Sequence, residues 1–204
     1  MNRRTFLRFV PGSVAASALY LEGWGWTRAV EAMGGVLPPL KAPAPGFQLA
    51  GVAPSPTGTG TPMDVSLSLD DFRGRWLVLY FYPKDFTSGC TLEARGFQRD
   101  LASFQQNQAE VVGISTDSVD SHGSFCGAEG LAYPLLSDPD GTVCRQYGSW
   151  LTGTALRHTF LIDPEGQLQA RWVAVRPLGH SQEVLSTLSE LQNASKPGSL
   201  LSAG

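Results

Sequence analysis

The 204-residue chain carries only three cysteines, at positions 90, 126 and 144, and none of them forms a C-x-x-C pair. That absence argues against a thioredoxin-type disulfide exchanger, which keeps both sulfurs in one motif. It also argues against a structural zinc site, which needs clustered ligands. The odd count leaves at least one thiol unpaired if a single disulfide forms. Long apolar runs are lacking too. The uncharged stretch at 9–21 is 13 residues long and contains Pro11 and Gly12, whereas a membrane-spanning helix needs about 20 apolar residues. Positive charge is scarce: 15 lysines and arginines face 18 aspartates and glutamates, for a net charge of −3. With no basic stripe and no aromatic-interleaved patch, nucleic-acid binding is excluded as a working hypothesis. The three histidines, His122, His158 and His180, have no metal-ligand spacing and read as packing or surface residues, so no metal and no cofactor is called for.

What is present suits a folded domain, since 42% apolar residues suffice for a core. Residues 1–32 read as a processed segment. Arg3 and Arg4 are followed by Phe6-Leu7, then by the uncharged stretch, then by Val30-Glu31-Ala32 as a cleavage site. This pattern resembles a twin-arginine export signal and implies the periplasm or a thylakoid lumen as destination. A basic amphipathic tail on a cytoplasmic protein is the alternative. Loss of residues 1–32 removes four arginines and two glutamates, taking the net charge from −3 to −5. Residues 33–39 read as a linker, 40–192 as the folded domain, and the small, polar segment 193–204 as a flexible tail.

Within the domain, strands and helices alternate. Strands are expected at 47–50, 65–67, 77–81, 110–114, 135–136, 159–162 and 168–173, and helices at 91–106, 119–129, 141–147 and 181–192. The turn Asp163-Pro164-Glu165-Gly166 between two strands indicates an antiparallel hairpin. The expected class is therefore α/β, with a mixed central sheet flanked by helices.

Cys90 sits where the buried strand 77–81 gives way to a helix whose apolar positions are Ala94, Phe97, Leu101 and Phe104. In the first turn of a helix, unpaired backbone N–H groups and the helix dipole stabilise an anion, here a thiolate. Thiolate formation alone does not make a fast catalyst. Lowering a thiol pKa from about 8.5 to about 6 raises the thiolate fraction roughly 30-fold at pH 7. Nucleophilicity falls roughly 10- to 18-fold over the same change, so the net gain is about two- to threefold. Further rate must come from stabilising charge on the departing group.

The spacing Pro83-x-x-x-Thr87-x-x-Cys90 resembles the active-site signature of the peroxiredoxins, and the chain is most similar to their Q-type branch, the bacterioferritin comigratory proteins. Further similar segments are Lys41 through Phe47, Tyr80 through Asp85, Tyr133 through Asp138 and Arg157 through Asp163, so the resemblance covers roughly residues 40–192. Two departures are visible. Ser88 stands where proline is usual, and Arg95 stands where many members carry a second cysteine.

The resemblance implies a thioredoxin-like fold and a thiol peroxidase acting on hydrogen peroxide and organic hydroperoxides. It makes Cys90 the peroxidatic cysteine, at the mouth of a pocket lined by cation and N–H groups. Thr87 would contact the peroxide, Arg157 would supply a fixed cation, and Pro83 would exclude water. Glu93 either orients Arg157 or is an ordinary first-turn glutamate. Cys126 resembles the resolving cysteine of members that carry it in this later helix, or else is a small core residue. Gly123 and Gly127 either loosen that helix or serve its packing. Cys144 reads as core filler, with a resolving role or direct reduction of Cys90 as alternatives. Trp150 and Tyr147 read as core or pocket rim. A thioredoxin-like reductant and a monomeric state are implied as well. An exported disulfide oxidoreductase and a non-catalytic redox sensor on the same fold are the rival readings.

Overall fold

The computed structural model describes residues 30–55 and 62–194 of the chain. Residues 1–29 of the export segment expected at 1–32, and residues 195–204 of the tail expected at 193–204, lie outside the described residues. The elements run β1 (Val30–Ala32), β2 (Gly35–Leu37), β3 (Gln48–Ala53) and β4 (Met63–Ser68), then β5 (Trp76–Phe81). They continue with α1 (Ser88–Gln106), β6 (Ala109–Ser115), α2 (Val119–Glu129), β7 (Leu135–Ser137) and α3 (Thr142–Gln146). The last are β8 (Trp150–Leu151), β9 (Thr154–Ala155), β10 (His158–Ile162), β11 (Leu168–Trp172) and α4 (His180–Ala194).

Every residue of β5 is buried, as a strand covered on both faces requires. It lies within a seven-stranded sheet of order β11-β10-β5-β6-β7-β3-β4. The pairs β5·β6 and β6·β7 are parallel, and the pairs made by β10, β11, β3 and β4 are antiparallel. The sheet is thus mixed, and the Asp163 to Gly166 turn closes the β10·β11 hairpin. Gly166 takes φ 80° there and donates its N–H to the Asp163 carbonyl at 2.9 Å, a conformation that favours glycine.

Because side chains alternate along a strand, β5 divides the interior in two. Val78, Tyr80 and Tyr82 face a core that also holds Ala94, Phe97, Leu101 and Phe104 of α1, Phe125 of α2, and Val184 and Leu188 of α4. Leu77, Leu79 and Phe81 face the opposite core, with Phe47, Phe72, Val143 and Tyr147. Each fully buried phenylalanine contributes about 1.5–3 kcal/mol, which explains why the apolar stripe of α1 is fixed against the sheet.

Two of the expected domain boundaries differ in the structure. Residues 33–39, expected as a linker, contain β2, which pairs with the backbone of Val30–Ala32; Leu37 is buried in the second core. A Cβ on Gly34 would meet the Gly148 carbonyl oxygen at 2.2 Å, so glycine permits this close docking. Helix α4 runs to Ala194, two residues into the segment expected as tail.

Candidate active site

The loop after β5 ends at Thr87, the N-cap of α1. Ser88, Gly89 and Cys90 are therefore the first three helical residues, and their N–H groups have no acceptor within the helix. Ser88 at the first position leaves a backbone donor where the proline usual in similar proteins would supply none.

Arg157 immediately precedes β10, and β10 pairs with β5 so that His158 lies opposite Phe81. This register carries the guanidinium to the N-terminus of α1. One of its terminal nitrogens donates to the Cys90 sulfur at 3.3 Å, and the other pairs with Glu93. Burial works against the charge of Arg157, but Glu93 and Cys90 more than offset it and hold the guanidinium above its ordinary pKa range. A Cβ on Gly89 would lie 3.2 Å from the guanidinium, so the glycine keeps room for the arginine. Pro177 closes the same side, 3.9 Å from that Cβ position.

Glu93 is buried, and its second carboxylate oxygen has no hydrogen-bond partner. Burial pushes its pKa up to about 7, with Arg157 opposing. Thr87, at the N-cap position, does not cap with its side chain; its hydroxyl donates to the Lys84 carbonyl at 2.9 Å. The oxygen's lone pairs thus remain available as acceptors. Pro83 is half-buried, and its carbonyl accepts from the Thr154 hydroxyl at 3.0 Å. The sequence expectation put Cys90 at the mouth of a pocket, but the residue is only 1% exposed. A peroxide oxygen must enter past the first turn of α1 and its neighbours. A cavity of about 690 Å³ lies at the other end of β5, beside Trp76 and Gln108.

The family model described as AhpC/TSA family matches residues 40–171. Peroxiredoxin Bcp of Xanthomonas campestris pv. campestris is 44% identical over 124 residues, covering 56% of this chain and 77% of that protein. A putative peroxiredoxin bcp of Coxiella burnetii is 45% identical over 130 residues, covering 60% and 86% respectively. Among solved structures, a cysteine-to-serine variant of Xylella fastidiosa PrxQ superposes with a TM-score of 0.63 at 35% identity, covering 71% of this chain and 89% of that one. The chain belongs to the AhpC/TSA family, in its Q-type peroxiredoxin branch. The peroxiredoxin fold and a thiol peroxidase activity follow from that membership.

The other two cysteines of this peroxiredoxin separate cleanly. Cys126 lies in α2 and shares the core of Cys90, whereas Cys144 lies in α3, in the core on the opposite face of the sheet. All three thiols are free. Burial pushes the Cys126 pKa up to about 12 and raises that of Cys144 as well, with nearby Asp85 and Asp138 respectively adding to the effect. Cys126 borders a cavity of about 300 Å³ with Gly127, Leu131 and Ala132. A Cβ on Gly127 would meet nothing within 4 Å, and one on Gly123 would make only ordinary contact, with Val52 at 3.9 Å. Packing therefore requires neither glycine. Arg95, at the position of the missing cysteine, bridges to Glu129 at the end of α2 at 2.5 Å.

All three histidines are buried. His158 has its pKa lowered by burial to about 4, and the Ser149 hydroxyl lies 3.0 Å from its Nδ1. His180 meets the Thr159 hydroxyl at 2.8 Å. Tyr147 is core, donating to the Pro45 carbonyl at 2.7 Å, and half-buried Trp150 receives the Arg145 guanidinium over its ring. Sequence reasoning missed the partnership of His122 with Asp85, which lie 37 residues apart.

Proposed function

We propose that this peroxidase is a two-cysteine enzyme that reduces hydrogen peroxide and organic hydroperoxides. The observation that carries the reading is the Arg157 guanidinium, 3.3 Å from the Cys90 sulfur and fixed from behind by buried Glu93. The Cys90 thiolate attacks one peroxide oxygen. The O–O bond breaks, sulfur is oxidised by two electrons to the sulfenic acid, and the other oxygen leaves as hydroxide or alkoxide, which takes from solvent the proton the thiol gave up on ionising and becomes water or alcohol. Arg157 and the N–H groups of the first turn of α1 face the charge that develops, without reorganising as it forms. Thr87 accepts from the peroxide O–H, and Pro83 limits water.

Cys126 then attacks the sulfenic acid, forming the disulfide and releasing water. Its place in the same core as Cys90, on a helix with two unnecessary glycines, supports this role. A thioredoxin-like dithiol reduces the disulfide and returns both thiols. Every group in this cycle lies on one chain, in keeping with a monomeric enzyme. The substrate range is supported by a Xanthomonas campestris bacterioferritin comigratory protein, 33% identical with a TM-score of 0.63, whose structure was solved to study alkyl peroxide reduction. The exposed Phe86 ring in the loop before Cys90 suits an organic substituent. The arginine pair at the N-terminus supports export as a folded protein.

The test is a thioredoxin-coupled peroxide assay. Cys90→Ser abolishes turnover, whereas Cys126→Ser consumes one equivalent of peroxide and then stops. Sustained cycling by the Cys126→Ser protein would exclude the resolving role and leave direct reduction of the sulfenic acid.

A further inference from the structure

The loop that carries Thr87 is fastened to the helix that carries Cys126 by a buried polar cluster, beside the edge-on contact of Phe86 with Phe125 at 5.1 Å. Asp85, two residues before Thr87, points its carboxylate into the first turns of α2. Its Oδ1 accepts from the Tyr82 hydroxyl at 2.7 Å, and its Oδ2 accepts from the Ser121 hydroxyl at 2.7 Å. Nδ1 of His122 lies 2.9 Å from the same Oδ2, and its Nε2 lies 3.2 Å from the Leu136 carbonyl oxygen of β7. Both side chains are sealed from solvent. The Asp85 amide is held in turn by Asp117, from the turn between β6 and α2, at 2.8 Å.

The chemistry of the acceptors fixes the protons. A carbonyl oxygen only accepts, so Nε2 carries a hydrogen, and an ionised carboxylate only accepts, so Nδ1 carries one as well. With Asp85 ionised, a neutral ring would leave two lone pairs facing each other at one nitrogen or the other. The Tyr82 hydroxyl, 3.3 Å from Nδ1, does not relieve the contact with Oδ2. Burial opposes ionisation of Asp85, but His122, Tyr82 and Ser121 together hold its pKa below the ordinary value. Asp85 is therefore the carboxylate of the pair. The other titratable groups facing the cluster are Asp117, which meets the Asp85 amide, and Cys126 on α2 itself, which feels the charge of Asp85. From β7 only a backbone carbonyl faces the ring.

We propose that Asp85 and His122 are positioning residues for both half-reactions, a buried carboxylate–imidazolium clamp that holds the peroxidatic loop against the resolving helix. His122 and Cys126 are four residues apart and lie on the same buried face of α2. The clamp therefore presents Thr87 for peroxide attack and at the same time restrains the helix that must open to release Cys126. A buried ion pair adds little net stability over apolar packing, but removing either partner leaves the other charge buried and uncompensated, so the two elements it joins are costly to separate.

Two measurements test this on the full chain. Long-range ¹H–¹⁵N correlation of the reduced protein at pH 7 should show both ring nitrogens of His122 protonated; one unprotonated nitrogen overturns the proposal. In stopped-flow tryptophan fluorescence, His122→Gln should slow peroxide oxidation of Cys90 about tenfold while accelerating the later, first-order disulfide closure. An unchanged oxidation rate, or both steps slowing together, overturns it. If His122→Gln does not fold, the near-isosteric Asp85→Asn serves for the same comparison. The closure arm rests on the reading that Cys126 resolves. If the unaltered protein forms no Cys90–Cys126 disulfide, that reading fails, while the ring nitrogens and the oxidation rate still judge the clamp.

Discussion

Arg157 stands between the Glu93 carboxyl group and the Cys90 sulfur. Glu93 is buried against the guanidinium with one oxygen unsatisfied, and its pKa rises to about 7 despite the adjacent cation. Here desolvation outweighs pairing. The consequence for stability has a definite sign. Between about pH 4.5 and pH 7 the folded protein keeps a proton on Glu93 that the unfolded chain releases, so stability falls as pH rises through that window. The loss is about 3 kcal/mol. Glu93→Gln should remove this slope, which urea unfolding of the reduced protein at pH 5 and pH 8 would reveal. A variant whose stability tracks the unaltered protein at both pH values would contradict the assignment. At this scale the motif made Thr87, Cys90 and Arg157 legible, and Glu93 was legible as a neighbour. Asp85 and His122 were not, because their pairing depends on how α2 is laid across the loop, and no sequence spacing encodes that.

The behaviour of α2 decides how the second half of the cycle proceeds. The helix begins at a Ser118 cap, whose hydroxyl oxygen accepts from the Ser121 amide, and ends at Gly130 with φ 62°. The Leu131 amide closes its last turn on the Cys126 carbonyl. Cys126 thus sits in the turn that frays first, and glycine at 123 and 127 lowers the cost of fraying. Because neither glycine is needed for packing, Gly123→Ala and Gly127→Ala should each stabilise the helix by up to about 1 kcal/mol. If opening limits disulfide closure, each should slow that step roughly fivefold. Rapid-quench trapping of thiols after peroxide addition measures it, and an unchanged closure rate would show that helix opening is not limiting. The limits of α2 were readable because both caps are explicit in the sequence. The ribbons β1·β2 and β8·β9 were not, since strands of two or three residues carry no periodicity and are set by what they dock against.

Across the whole molecule, the sheet acts as a partition. Cys90 and Cys126 lie in the core beneath α1 and α2, while Cys144 is sealed in the other core, its amide held by Asp138 at 2.8 Å. A disulfide from Cys144 to Cys90 would have to cross the sheet. Cys144→Ala should therefore leave thioredoxin-coupled turnover at the level of the unaltered protein, at a cost in stability of about 1 kcal/mol. Loss of turnover in a folded variant would overturn the partition. The alternation of elements revealed the α/β class and the mixed sheet. The strand order, and with it the side on which Cys144 falls, depended on long-range pairing that short apolar runs do not encode.

The most direct test of the account is intact-mass analysis with peptide mapping after one equivalent of peroxide. The expected result is a loss of two hydrogens and a single cross-linked pair joining the peptides of Cys90 and Cys126, with Cys144 still alkylatable. Recovery of Cys90 as a free thiol while another residue carries the oxidation would contradict it.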